Sequence, residues 1–218
     1  TFCMQKKNTR NNFLNRHRFL LTGLLCLFGI CLLSAQDKPK QPEKKKTRVD
    51  LLYAEEAQAD KILLPDVQIL IRSVKLRHDS MYMYCDSALI YEKTNSVEAF
   101  GNVHVIQNDT LNLWGDFMLY NGNTEFAKVR DNVIMKDPKI TLTTDFLDYD
   151  AANRVGYYFN KGTIKDSINT LISDIDYYYL PINEMFFKDS VKVYTPEYTM
   201  YSDTLKYQTE TKVITILG

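Results

Sequence analysis

Three features of this sequence predict a repetitive all-β chain, a solenoid-like stack of antiparallel strands. Tyr91, Tyr120, Tyr149, Tyr178 and Tyr207 follow one another at intervals of 29 residues. Two more columns travel with them. Asp116, Asp145, Asp174 and Asp203 stand four residues before the last four tyrosines, and Tyr84, Leu113, Leu142, Leu171 and Met200 stand seven before each tyrosine. Past residue 36 no stretch sustains a helical period, apart from a short turn suggested at Ala54 to Asp60. A fixed period of this size marks an array whose units bury their faces only against their neighbours.

The chain opens with a different kind of segment. Residues 1–36 carry Lys6, Lys7, Arg10, Arg16 and Arg18 and no acid, then an apolar run from Phe19 to Leu33, then Ser34-Ala35-Gln36. Basic, apolar, small is the order of a cleaved secretory signal, and the run is short of the roughly 20 apolar residues that a membrane span needs. The alternative is an uncleaved anchor. Lipoprotein processing is disfavoured by the bulky Ile30 before Cys31. Translation is expected to begin at Met4, and the exported chain near Gln36. Residues 37–48 hold Lys38, Lys40, Lys44, Lys45, Lys46 and Arg48 with Pro39 and Pro42, which reads as a solvated linker. The alternative for this cluster is contact with anionic lipid headgroups.

The repeat domain is expected over 49–218, with 49–80 as an opening half-unit. In each unit a strand such as Thr141 to Tyr149, rich in β-branched and aromatic residues, is interrupted by a small residue and Asp. The pairs are Gly115-Asp116, Thr144-Asp145, Ser173-Asp174 and Ser202-Asp203, with Asp86-Ser87 in swapped order in the first unit. A bend or bulge is predicted there, with the Asp carboxylate accepting local backbone N–H groups. A polar turn follows each tyrosine, and a return strand follows each turn: Val97 to Ile106, Phe126 to Met135, Val155 to Ile164 and Met185 to Val193. These carry their own breaks at Gly101-Asn102, Asp131-Asn132, Lys161-Gly162 and Asp189-Ser190, matched upstream by Arg72-Ser73. Val213 to Gly218 resembles the start of a further return strand, so the array is expected to continue.

Composition narrows the function. The 27 basic and 27 acidic residues become 22 and 27 once the leader is set aside, a balance of −5 that argues against nucleic-acid binding. Cys85 alone lies beyond the leader, so no internal disulfide is expected, and its apolar setting reads as a buried small side chain. No metal or other cofactor is expected. His78 has no ligand-spaced partner, and one Asp per unit falls short of the six or more oxygens of a calcium site. No catalytic constellation stands out; the acids are in phase with the repeat, which favours a structural role over a glycosidase pair.

Leu89, Met118, Leu147 and Leu205 lie two residues before the tyrosines and share a strand face with them; Phe117, Phe146 and Ile175 point the other way. Both faces therefore carry apolar surface. One reading is a core on one side and cross-strand packing on the other; the second is an apolar groove for a greasy ligand.

Tyr84-Cys85-Asp86-Ser87-Ala88, Ala99-Phe100-Gly101-Asn102-Val103-His104-Val105 and the small-residue–Asp–Tyr elements resemble the OstA-like family, the periplasmic lipopolysaccharide-bridge and organic-solvent-tolerance proteins, in the longer form of Bacteroidetes-type bacteria. The likeness runs from Val49 to Gly218. It implies an open, twisted β-jellyroll in the periplasm of a Gram-negative-type cell, in some association with the outer membrane. It further implies a hydrophobic interior that carries lipopolysaccharide or lipid A acyl chains, edge-strand pairing end to end with other OstA-like jellyrolls, and no enzymatic activity. On this reading Trp114, Phe117, Phe146 and Ile175 are expected to form the apolar wall, with the Asp and Tyr columns as structural repeats. The competing reading is a structural or adhesive β-solenoid filled by its own side chains.

Overall fold

A computed structural model describes residues 47–59 and 65–217. The expected leader 1–36, the linker up to residue 46 and Gly218 lie outside the described residues. The strands are β1 Asp50–Tyr53, β2 Glu56–Gln58, β3 Val67–His78, β4 Met81–Tyr91, β5 Ser96–Gln107, β6 Leu111–Asn121, β7 Phe126–Lys136, β8 Thr141–Asp150, β9 Val155–Tyr158, β10 Gly162–Lys165, β11 Thr170–Ser173, β12 Ile175–Tyr179, β13 Glu184–Tyr194, β14 Thr199–Gln208 and β15 Val213–Ile216. All belong to one antiparallel sheet in which consecutive rungs are neighbours, so the predicted all-β stack is observed. β9 with β10, and β11 with β12, are the two halves of single rungs. β8 pairs with both β10 and β9, and β13 pairs with both β11 and β12.

Each rung bends in its middle, where the sequence places small or polar residues. Arg72 and Ser73, Gly101 and Asn102, Asp131 and Asn132, and Asp189 and Ser190 form consecutive left-handed pairs with φ between 46° and 70°, and Lys161 alone does so in its rung. Such backbone is inexpensive for Gly, Asn and Asp. The register slips at each bend, between Tyr84 and Ser87 in β4 and between Phe100 and Val103 in β5. These bulges divide every rung into two limbs, and the sheet folds back on itself along a crease.

The bulge also sets which side chains face inward. In β6, Leu111, Leu113 and Gly115 are buried before the bend and Met118 and Tyr120 after it, while Asp116 and Phe117 both stay outside. The bulge, whose extra residue lies in the partner strands β5 and β7, re-phases β6 so that both limbs present their apolar set to one core. Four inner columns follow. Leu76, Met83, Val105, Leu113, Met135 and Leu142 continue through Ile164, Leu171 and Val193 on the first limb. On the second limb Ala88, Ala99, Met118, Val129 and Leu147 form one column, and Ile90, Val97, Tyr120, Ala127 and Tyr149 another. The fourth runs beside the crease from Val74 and Cys85 through Val103 and Gly115 to Val133 and Thr144.

Two expectations are corrected. The turn at Ala54 to Asp60 is not helical, because Glu56–Gln58 is strand β2 and pairs with Ile69–Ile71 of β3. The exposed edge of β3 supplies backbone partners that a local turn cannot match. The first unit is also out of phase with the tyrosine column. Ile90, through Val97, lies in line with Tyr120, while Tyr91, Tyr84 and Leu89 face outward. The true offset is the 30 residues from Asp86 to Asp116, and the pair at the first bend is Cys85-Asp86.

Candidate functional site

The interior is the candidate site, and its composition changes along the stack. From β3 to β7 it is largely aliphatic, with Leu, Val, Met, Ala and Ile on its columns beside Cys85, Gly115 and Tyr120, and with His78 and Gln107 buried at the mouth. From β8 onward the crease column turns polar through Thr144, Gly162, Ser173 and Ser202, and the second limb fills with Tyr158, Tyr178, Phe187 and Tyr207. Asp176 occupies the position held by Met118, Leu147 and Leu205 in other rungs. It is 0 % exposed, between Tyr158 and Phe187, and neither carboxylate oxygen has a hydrogen-bond partner. Burial pushes this carboxyl well above its ordinary range.

The side opposite the crease is a mouth where the tips of the two limbs meet. Here the tyrosine column has a role its spacing alone did not disclose. Tyr120 Oη and His78 Nδ1 are hydrogen-bonded at 2.7 Å. Tyr149 donates to Gln107 Oε1, Tyr178 to Asp137 Oδ2 at 2.5 Å, and Tyr207 to Asp166 Oδ2. Each bond ties the second limb of one rung to the first limb of a rung 41 or 42 residues earlier. Burial raises all four phenols, and the neighbouring carboxylates of Asp137 and Asp166 raise Tyr178 and Tyr207 further. The hydroxyls therefore act as donors or acceptors and do not ionise.

Other side chains reinforce these latches. Gln107 Nε2 donates to the Ala151 carbonyl at 3.1 Å. Lys139 Nζ reaches Asn183 Oδ1 at 2.6 Å, and Lys212 Nζ lies 3.1 Å from Asp166. Thr47, within the expected linker, is bonded through Oγ1 to His78 Nε2 at 2.9 Å, and its carbonyl accepts from Asn95 Nδ2. The partner column His78, Gln107, Asp137 and Asp166 was missed. Its spacings of 29, 30 and 29 residues are present in the sequence, but its chemistry is not uniform, so no residue type marks it.

The four residues expected as the apolar wall sit elsewhere. Phe146 is 42 % exposed, and Trp114, Phe117 and Ile175 are half-buried, all on the outer face. Trp114 stacks on His104 with centroids 4.7 Å apart, Phe117 leans on Phe100, and Phe146 lies under the Arg130 guanidinium. The expected face is thus reversed: the bulge that places Asp116 outside also puts the next residue outside. The Asp column differs in detail too. Asp86 and Asp116 accept from the side chains of Asn102 and Asn132, at 2.8 and 2.6 Å. The local backbone bonds are made instead by the preceding hydroxyls: Thr144 accepts from the Phe146 N–H and Ser202 from the Thr204 N–H. Asp145 and Asp203 are simply exposed, and Asp174 half-buried, at the crease. Among the described residues, no three His, Cys, Asp or Glu side chains gather as metal ligands would.

Comparison with known proteins now bears on this geometry. Residues 46–203, well over half of the chain, match the family model described as OstA-like protein. No curated protein matches. Among solved structures, the chain is similar to the crystal structure of LptH from Pseudomonas aeruginosa, the LptA-homologous periplasmic component of its lipopolysaccharide transport device. The identity is 16 %, the match covers 64 % of this chain and 85 % of that one, and the TM-score is 0.28.

Proposed function

This chain belongs to the OstA-like family, and we propose that it is a periplasmic lipid-binding bridge or chaperone that carries lipopolysaccharide toward the outer membrane. The observation that carries the reading is the largely aliphatic interior of rungs β3 to β7, enclosed by two limbs that side-chain bonds join across the mouth. Acyl chains gain about 0.8 kcal/mol for each methylene taken out of water, so such an interior holds them without any charged contact. The role needs no catalytic group. The exposed strand β1, with Leu51, Leu52 and Tyr53 all more than a third accessible, is an apolar sheet edge of the kind that pairs with another chain. A second jellyroll of the family is the proposed occupant.

The reversed face sets the experiment. A photo-crosslinking residue at Met118 or Leu147, on the inner face, is expected to capture lipopolysaccharide in cells, and one at Phe117 or Phe146 to capture far less. Capture at the outer positions alone would point to a surface site. The second reading, a scaffold filled by its own side chains, is favoured by one observation: Leu113, Met118, Val129 and Leu147 are buried against the protein's own side chains. Absence of capture at any of the four positions in exported protein decides for the scaffold.

A further inference from the structure

The mouth latches differ in strength along the stack. Tyr120–His78 and Tyr149–Gln107 pair the phenol with an imidazole and a carboxamide. Tyr178–Asp137 and Tyr207–Asp166 pair it with carboxylates, and the second is tightened by Asn169 and Lys212. Hydrogen bonds to ionised acceptors are roughly twice as strong as neutral ones.

Further bonds cross the mouth beside each latch: Thr47 joins His78 to Asn95 at the first and Gln107 Nε2 reaches Ala151 O at the second, all neutral, whereas Lys139 and Lys212 add ion pairs with Glu210 and Asp166 at the last two. Among the described residues, the backbone bonds at the limb tips join turns on the same side. Asn108 bonds to Ser80 on one side; Gly122 bonds to Asn95, Ala151 to Glu125 and Leu180 to Arg154 on the other. The limbs themselves are continuous ladders, and the crease is covalent. The seam is thus held by side-chain bonds, neutral at its first two latches and charge-assisted at its last two. A void of about 190 Å³ already indents the mouth between the two neutral latches, where His78, Gln107, Tyr120, Glu125 and Arg154 line it. The aliphatic part of the interior lies behind these two latches, and the part with Asp176, Thr144 and Ser173 lies behind the charged ones.

We propose that the mouth is a graded gate: the limbs part first at Tyr120–His78 and Tyr149–Gln107, and acyl chains are admitted sideways there, while the Tyr178 and Tyr207 latches stay shut as a clamp. This rests on the lipid-carrying reading above and adds where and in what order the interior opens. Loss of one neutral latch removes a bond that must break for admission, while the ring stays to pack.

The test uses the full chain with purified lipopolysaccharide as the probe, in stopped-flow association. Tyr120→Phe and Tyr149→Phe are each expected to associate about two- to tenfold faster than wild type, the weight of one neutral hydrogen bond. Tyr178→Phe and Tyr207→Phe are expected to stay within about twofold. In the ligand-free wild type, hydrogen exchange is expected to be faster at the strand ends around Gln107 and Tyr149 than around Asp137 and Tyr178. Equal acceleration in all four variants, unchanged rates in the first two, or the reverse order of exchange overturns the graded gate. A wild type that binds no lipopolysaccharide overturns the functional reading instead, and the order of exchange still rules on the gate.

Discussion

Replacing Asp176 should stabilise this protein, and the structure says by roughly how much. The side chain is 0 % exposed, lies in a column otherwise filled by Met118, Leu147 and Leu205, and offers two oxygens to nothing. An unpartnered buried polar group costs about 1–3 kcal/mol. Burial also raises the folded-state carboxyl well above its unfolded value. A raised acid contributes most below the unfolded value near pH 4, and that contribution drains away as pH rises toward the folded value. Asp176→Leu removes the buried polar group and adds apolar contact with Tyr158 and Phe187, so a net gain of about 1–3 kcal/mol is expected at pH 7. Asp176→Asn removes only the ionisation. Urea unfolding followed by circular dichroism at pH 5 and pH 8 separates the effects. Wild type should be less stable at pH 8 relative to either variant, and the gap should narrow at pH 5. A Leu variant no more stable than wild type at pH 8 would refute the reasoning, because the carboxylate would then have a partner or a path to water.

Three further outcomes follow from local geometry. Burial pushes the Cys85 thiol up to about 11, so it should resist an aromatic disulfide reagent at pH 8 in the folded chain and react at once in denaturant; rapid reaction of the folded protein counts against the burial. Gly162→Ala would set a Cβ 2.5 Å from the ring of the buried Tyr158, and a loss of about 1–3 kcal/mol is expected in thermal or urea unfolding. Tyr149→Phe strands the buried Gln107 oxygen and should cost about 1–3 kcal/mol, whereas Tyr91→Phe should change stability by less than about 0.5 kcal/mol, although both tyrosines stand in the same 29-residue series.

That contrast shows where the sequence was readable and where it was not. Period, strand content and the positions of the bends were legible because they depend on residue types that tolerate few alternatives: paired left-handed backbone at Gly101-Asn102 or Asp131-Asn132, and β-branched or aromatic runs between. Facing was not legible, because the bend exchanges the buried parity midway in β4, β6 and β8 but keeps it in β5, β7 and β13. Counting parity through Asp116 gives the wrong face for all that precedes it. In the first unit the same one-residue ambiguity allowed Tyr91 to pose as a member of the column that Ile90 occupies. The latch partners escaped for another reason. A hydroxyl is satisfied equally by imidazole, carboxamide or carboxylate, so selection for the bond leaves no fixed residue type to find.

The outer aromatics, of which only Phe146 belongs to the expected lipid wall, brace the sheet from outside. β9 and β12 are short paired segments of the second limb, with four and five residues. Over them Tyr157 and Tyr177 stack at 5.4 Å, Phe159 meets both edge-on, and Tyr179 extends the row. Beside them Arg130 bonds to Asp148 at 2.6 Å while lying against Phe146. Cross-strand pairs of this kind stiffen a sheet by about 0.2–1 kcal/mol each. They are concentrated where the ladder is interrupted, and they lie on the limb that bears the tyrosine latches. On the proposed gate, a limb stiffened in this way would move about the crease as a unit rather than unzip its own strands, and the aliphatic residues inside would remain the surface that a lipid chain meets.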